Sequence, residues 1–166
     1  VSILSNEPSQ HEKITTIAEY IKALDQICAL SNQDLFIFEK DFVNIGFNNS
    51  ARIEMLRSLL LPNPNHRLLL LAHDTRQISQ NCPRLMTLLR QFGHNMYIYQ
   101  TPKNLQHITE PFAVGDKSNF VRRFHLDHTP SIYGQNDSIN ASLLKSRFME
   151  MWQVSQPSPW TSTFSL

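Results

Sequence analysis

The sequence predicts an α/β domain with a mostly parallel mixed sheet flanked by helices on both sides. Three observations predict it. Helix-like and strand-like segments alternate through the first hundred residues, an order that calls for parallel strands joined by helical crossovers. The strand-like segments Leu35-Phe36-Ile37-Phe38 and Leu68 to Ala72 are short, continuously apolar runs, as in strands buried on both faces. No repeat, low-complexity tract or linker divides the 166 residues, a length suited to one domain with its own core.

In chain order, residues 1–12 read as a flexible lead-in, residues 13–153 as the single domain and residues 154–166 as a mobile tail. From Lys13, the positions Ile14, Ile17, Ala18, Ile21, Leu24 and Cys28 follow helical spacing to Leu30. The first strand follows at Leu35 to Phe38. Asn49 or Ser50 can cap a second helix with Ile53, Leu56 and Leu60 inside, stopped by Pro62 and Pro64. After the strand ending at Ala72, Pro83 opens a helix with Asn81 as its cap, and Gly93 is its expected left-handed terminator. Met96 to Tyr99 is a third strand. Phe112 to Val114 and Phe120 to Phe124 form a hairpin about Gly115-Asp116-Lys117-Ser118. The last helix starts after Asp137-Ser138 and carries Leu144, Phe148, Met151 and Trp152.

Composition excludes several functions. The four glycines, at 46, 93, 115 and 134, are too far apart for a dinucleotide fingerprint or a P-loop. Fifteen Lys+Arg against fourteen Asp+Glu give a net charge of +1, which argues against a polyanion-wrapping protein. No apolar run exceeds the five residues Leu68 to Ala72, and Val1 to Lys13 is polar. The sequence thus predicts no membrane span and a cytoplasmic location. Cys28 and Cys82 read as reduced core residues, and no cofactor is implied.

Ligands of open α/β sheets collect at the carboxyl ends of strands, where Glu39 to Asp41, His73-Asp74 and the run Arg122 to His128 fall. That run is the densest candidate site. Arg122, Arg123, His125 and His128 suit a phosphate or carboxylate. If the strand persists, Arg123, His125 and Asp127 share a face, and Asp127 can orient His125 as an acid–base pair. The alternative is a solvated, self-neutralising strand face. For a metal, His125, Asp127 and His128 lack a further ligand, so none is expected.

The order of elements over residues 13–153 resembles one half of a phospholipase D superfamily protein. Phe112-Ala113-Val114-Gly115-Asp116 resembles that family's apolar strand ending in the motif aspartate, and Leu144 to Trp152 resembles its last helix. Val121-Arg122-Arg123-Phe124-His125 and the Phe148…Trp152 ending also resemble an uncharacterised group of bacterial proteins. The family motif is His-x-Lys, four residues, then Asp. Counted back from Asp116, Thr109 stands for the histidine and Pro111 for the lysine. Arg123, Phe124 and Leu126 replace the family's Gly-Ser-x-Asn, and no histidine satisfies the motif in another register.

The resemblance therefore implies a degenerate, non-catalytic domain with an anion-binding or protein-interaction role. It also implies a second half, supplied by a homodimer or by fusion to an upstream domain. Two alternatives remain: a phosphodiesterase or nuclease with a rearranged site of Arg123, His125, Asp127 and Asp116, or an accessory nucleic-acid-binding domain.

Overall fold

The computed structural model describes residues 8–125 and 127–161. Its elements are β1 (Gln10–Ile14), α1 (Ile17–Leu30), β2 (Asp34–Glu39), α2 (Ser50–Leu60), β3 (Arg67–Ala72), α3 (Ile78–Asn81), α4 (Pro83–Gln91), β4 (Met96–Gln100), β5 (Phe112–Gly115), β6 (Asn119–Arg123), β7 (Ser131–Gln135), α5 (Ser138–Gln153) and β8 (Gln156–Pro157). A 3-10 turn spans Lys103–Leu105. The strands make one sheet in the order β1-β7-β6-β5-β2-β3-β4-β8.

The sheet is mostly antiparallel, which corrects the mostly parallel arrangement expected from the sequence. Only β2–β3 and β3–β4 run parallel; β1–β7, β2–β5, β4–β8, β5–β6 and β6–β7 are antiparallel. Helical crossovers enforce parallel pairing only as far as β4. The chain then passes back across the sheet and enters β5 beside β2 in the opposite direction. A three-residue turn carries that alternation into β6, and β7 again runs opposite to β6.

Three strands lie where apolar patterning predicts none. β1 is a polar edge strand, exposed at four of its five residues, and it takes Lys13 and Ile14 from the expected first helix. α1 starts at Ile17 because Thr16 caps it. The Thr16 hydroxyl accepts the Glu19 amide at 3.1 Å and donates to Glu19 Oε1 at 2.9 Å. β7 contains Gly134, where a Cβ would stand 2.4 Å from Phe120 Cε1; the absent side chain makes room for the Phe120 ring. β8 lies in the stretch expected to be a mobile tail, and beyond it the Ser158 amide donates to the Ile98 carbonyl at 2.9 Å. Residues 1–7 and 162–166, the remaining ends of the expected lead-in and tail, lie outside the described residues. Cys82 rather than Asn81 precedes α4, and Gly93 does not take a positive φ.

Helices α1, α2 and α4 pack on one face of the sheet around Leu24, Ile27, Leu56, Leu70 and Leu88. Each such fully buried leucine contributes about 1.5–3 kcal/mol. Helix α5 covers the other face: Phe148 stacks on Phe36 at 5.0 Å and Trp152 on Tyr99 at 4.0 Å. Because β5 opposes β2 and β6 opposes β5, one end of the sheet gathers the carboxyl ends of β2, β3, β4 and β6 with the start of β5. Ligands of open α/β sheets bind beyond such strand ends.

Candidate functional site

Residues Glu39, Arg123 and Tyr20 form a closed cluster there. Glu39 ends β2 and is 2% exposed; Arg123 ends β6 at 8%, and Tyr20 on the first turn of α1 is fully buried. The Tyr20 hydroxyl donates to Glu39 Oε1 at 2.5 Å. Arg123 Nη1 lies 3.9 Å from Glu39 Oε2, and its guanidinium sits 4.9 Å over the Tyr20 ring. Arg123 Nε and Nη2 also donate to the His128 carbonyl at 3.2 and 3.1 Å. Burial raises the Glu39 carboxyl to about 7, against the lowering pull of the Tyr20 hydrogen bond and of Arg123. Burial likewise holds the Tyr20 phenol well above its ordinary value.

The two motif positions adjoin this cluster. Pro111 is buried, and its carbonyl accepts the Arg123 amide at 2.9 Å; Thr109 is half-buried two residues earlier. Neither offers an imidazole or an ammonium. His73, just beyond β3, is occupied at both nitrogens. Nε2 lies 2.6 Å from the Ile108 carbonyl and so donates, which leaves Nδ1 to accept from the Thr101 hydroxyl at 2.6 Å. Burial pushes its pKa down, which favours the neutral ring.

The residues singled out in sequence are spread over three places. Asp116 is in the β5–β6 turn at the opposite end of the sheet, with φ 52°. Its carboxylate accepts the amides of Asn32 at 2.9 Å, Gln33 at 2.8 Å and Asp34 at 3.1 Å. Five strand residues, roughly 16 Å, separate it from His125. β6 stops at Arg123, so Arg123, His125 and Asp127 do not share a strand face. His125, Asp127 and His128 instead follow β6 in a turn in which the His128 amide donates to the His125 carbonyl at 3.2 Å; Leu126 lies outside the described residues.

In that turn His125 Nδ1 accepts the Asp127 amide at 3.0 Å, while the Asp127 carboxylate is 3.8 Å away, beyond hydrogen-bond reach. The His125 and His128 rings are 5.1 Å apart. Arg122 points to the α5 face and binds Glu110 Oε2 at 2.6 Å, with Arg147 4.0 Å from the same oxygen. A cleft of about 450 Å³ beside them is lined by Thr109, Glu110, Arg147 and Glu150. Acids and bases alternate around it, so it holds no net positive field. Among the described residues, no three His, Cys, Asp or Glu side chains group as metal ligands. No described helix is long and apolar enough to cross a membrane.

Sequence reading places Glu39 correctly at a strand end but gives no signal for Tyr20, whose helical register points it beneath that end. The two cysteines are free and buried, and burial pushes the Cys28 thiol up to about 12.

Solved structures share this fold. The archaeal chromatin protein TrmBL2, whose structure shows a novel mode of DNA binding, matches with TM-score 0.68 at 9% identity. That match covers 94% of this chain, which spans only 57% of the TrmBL2 chain. Nuc from Salmonella typhimurium, a phospholipase D family member, matches with TM-score 0.67 at 7% identity over 91% of this chain and 99% of its own. Phosphatidylserine synthase from Haemophilus influenzae matches with TM-score 0.64 at 11% identity, over 95% of this chain and 40% of its own. No curated protein matches the sequence. The chain has a phospholipase D-like fold, and the match of residues 16–163 to the family described as "Domain of unknown function (DUF7931)" makes it a member of that family.

Proposed function

We propose that this chain is a non-catalytic phospholipase D-like domain acting as an accessory nucleic-acid-binding module. One observation carries the non-catalytic half: where the fold's chemistry needs an imidazole and an ammonium stand Thr109 and buried Pro111, beside Arg123 already engaged with Glu39 and Tyr20. A nucleophile must reach phosphorus, and phosphate oxygens need a cation free to meet them. Thr109 and Pro111 supply neither group at the two positions where the resemblance expects them. The binding half is supported by the fold shared with part of TrmBL2, a chromatin protein whose structure shows a novel mode of DNA binding.

The test pairs two assays on the purified chain. Hydrolysis of bis(p-nitrophenyl) phosphate is expected at the buffer rate, and a fluorescent DNA duplex is expected to bind with an affinity that falls steeply with salt. Turnover lost in His125→Ala but kept in His107→Ala would instead establish the rearranged phosphodiesterase. Salt-independent or absent binding would remove the nucleic-acid reading.

A further inference from the structure

The net charge of +1 conceals a polarised chain. Between positions 42 and 109 there are seven basic residues (Arg52, Arg57, Arg67, Arg76, Arg84, Arg90 and Lys103) and two acidic ones (Glu54 and Asp74). That stretch is net +5, so the rest of the chain is net −4. It builds α2, β3, α3, α4 and β4. Within it, the two parallel helices α2 and α4 lie side by side on the sheet face they share with α1.

The arginines of the chain fall into two classes. Seven of the nine have a carboxylate within 4.0 Å: Arg52, Arg57, Arg67, Arg76, Arg122, Arg123 and Arg147. Arg84 and Arg90 have none among the described residues, and both are exposed on α4. Arg84 is held in place by neutral groups: its amide donates to Asn48 Oδ1 and its Nη1 to the Asn48 carbonyl, both at 3.0 Å. Arg90 Nη2 donates to the Thr87 hydroxyl at 3.3 Å. A groove of about 240 Å³ runs between α2 and α4, lined by Ser50, Ile53, Glu54, Arg57, Arg84 and Thr87. Arg57 reaches across to Gln91 Oε1 at 3.0 Å, so it stands level with Arg90.

We infer that the α2–α4 face is the surface that takes a nucleic-acid phosphate backbone, an inference that rests on the nucleic-acid reading above. Guanidiniums without internal carboxylates keep their charge and most of their donors for an outside anion. Six helical residues place Arg84 and Arg90 about 9 Å apart along the axis and about 120° apart around it, Arg84 at the groove and Arg90 on the other flank of the exposed side of α4. Phosphates advance about 3.4 Å along the axis per strand residue, so this pair spans two to three of them. Ser50 and Thr87 add hydroxyls in the groove, and Glu54, the sole acid on these two helices, is paired with Arg57. The contacts read backbone charge and no base edge, so binding is independent of sequence.

The test measures anisotropy of a fluorescein-labelled 20-mer duplex across a potassium chloride series. Arg84→Ala/Arg90→Ala is expected to lose affinity roughly tenfold and to flatten the slope of log K against log salt by about two. Arg84→Lys/Arg90→Lys retains binding, and thermal melts verify that both variants fold. Arg122→Ala/Arg147→Ala, on the α5 face, stays within about twofold of wild type. Wild-type binding that survives unchanged in Arg84→Ala/Arg90→Ala overturns this surface while leaving the nucleic-acid reading standing. Absence of wild-type binding overturns that reading itself.

Discussion

Arginine does opposite work in two regions of this molecule. At the closed end of the sheet, Arg123 is 8% exposed and held by Glu39, the Tyr20 ring and the His128 carbonyl. On the α2–α4 face, Arg84 and Arg90 are exposed and have no carboxylate partner among the described residues. The first region binds its arginine into the fold; the second leaves two guanidiniums exposed. A cation buried with its own counterion is available to the fold and unavailable to a ligand. Chemistry of residue type alone would have favoured Arg123, and its surroundings reverse that choice.

The largest expected effect comes from breaking the closed end. At pH 8, Arg123→Ala leaves the buried Glu39 carboxyl without the cation that lowers its pKa, so it must either ionise unpaired or take up a proton, at a cost of about 3–5 kcal/mol in urea unfolding. A loss no larger than that of an exposed arginine would break the comparison.

Next is the pH dependence of the same cluster. The folded pKa of Glu39, about 7, lies above its ordinary 4.5, so the native state binds more protons than the unfolded chain between those values. Its contribution is fully present below about pH 4.5 and is lost as pH rises through 7, by roughly 3 kcal/mol in all. His73 works in the opposite direction, because its lowered pKa removes stability as pH falls below 6.5. The measurement is therefore the difference between wild type and Glu39→Gln across pH 4.5–8, which isolates the declining component. A difference that is flat in pH would place Glu39 outside a desolvated site.

Asp116 sharpens the contrast from the acidic side. Its carboxylate joins three backbone amides of the α1–β2 connection, so Asp116→Ala is expected to cost about 1–3 kcal/mol with DNA affinity unchanged. Lost affinity at full stability would assign it to a binding site. The smallest effect belongs to Arg84→Ala, whose exposed position predicts a stability change within about 0.5 kcal/mol while its binding falls. A thermal melt run beside the titration reads both.

Much of the fold is legible in the sequence, and its gaps have physical causes. The apolar runs Leu35 to Phe38 and Leu68 to Ala72 mark the two central strands because burial on both faces demands continuous hydrophobicity. Gln10–Ile14 and Ser131–Gln135 carry no such mark. One is a polar edge, and the other trades a side chain at Gly134 for the Phe120 ring. Without them the hairpin had no neighbours, and the sheet read as parallel. The Thr16-x-x-Glu19 capping pattern was present and would have moved the first helix to its true start.

The site was legible only in part. His125 and Asp127 are close in sequence, yet β6 ends at Arg123, four residues short of the strand face they would share. The charge sum of +1 averages away the segregation of acids from the stretch between positions 42 and 109. Which arginines keep a carboxylate depends on long-range packing, as with Arg52 and Asp25 or Arg67 and Asp34. Residue spacing does not encode it.

The most direct test is to incubate the wild-type domain with a labelled DNA duplex at a concentration that saturates the anisotropy signal, then resolve the strands on a denaturing gel. A closed catalytic end and an open basic face predict bound DNA recovered at full length. Shortened strands, with cleavage abolished by His125→Ala, would contradict that reading.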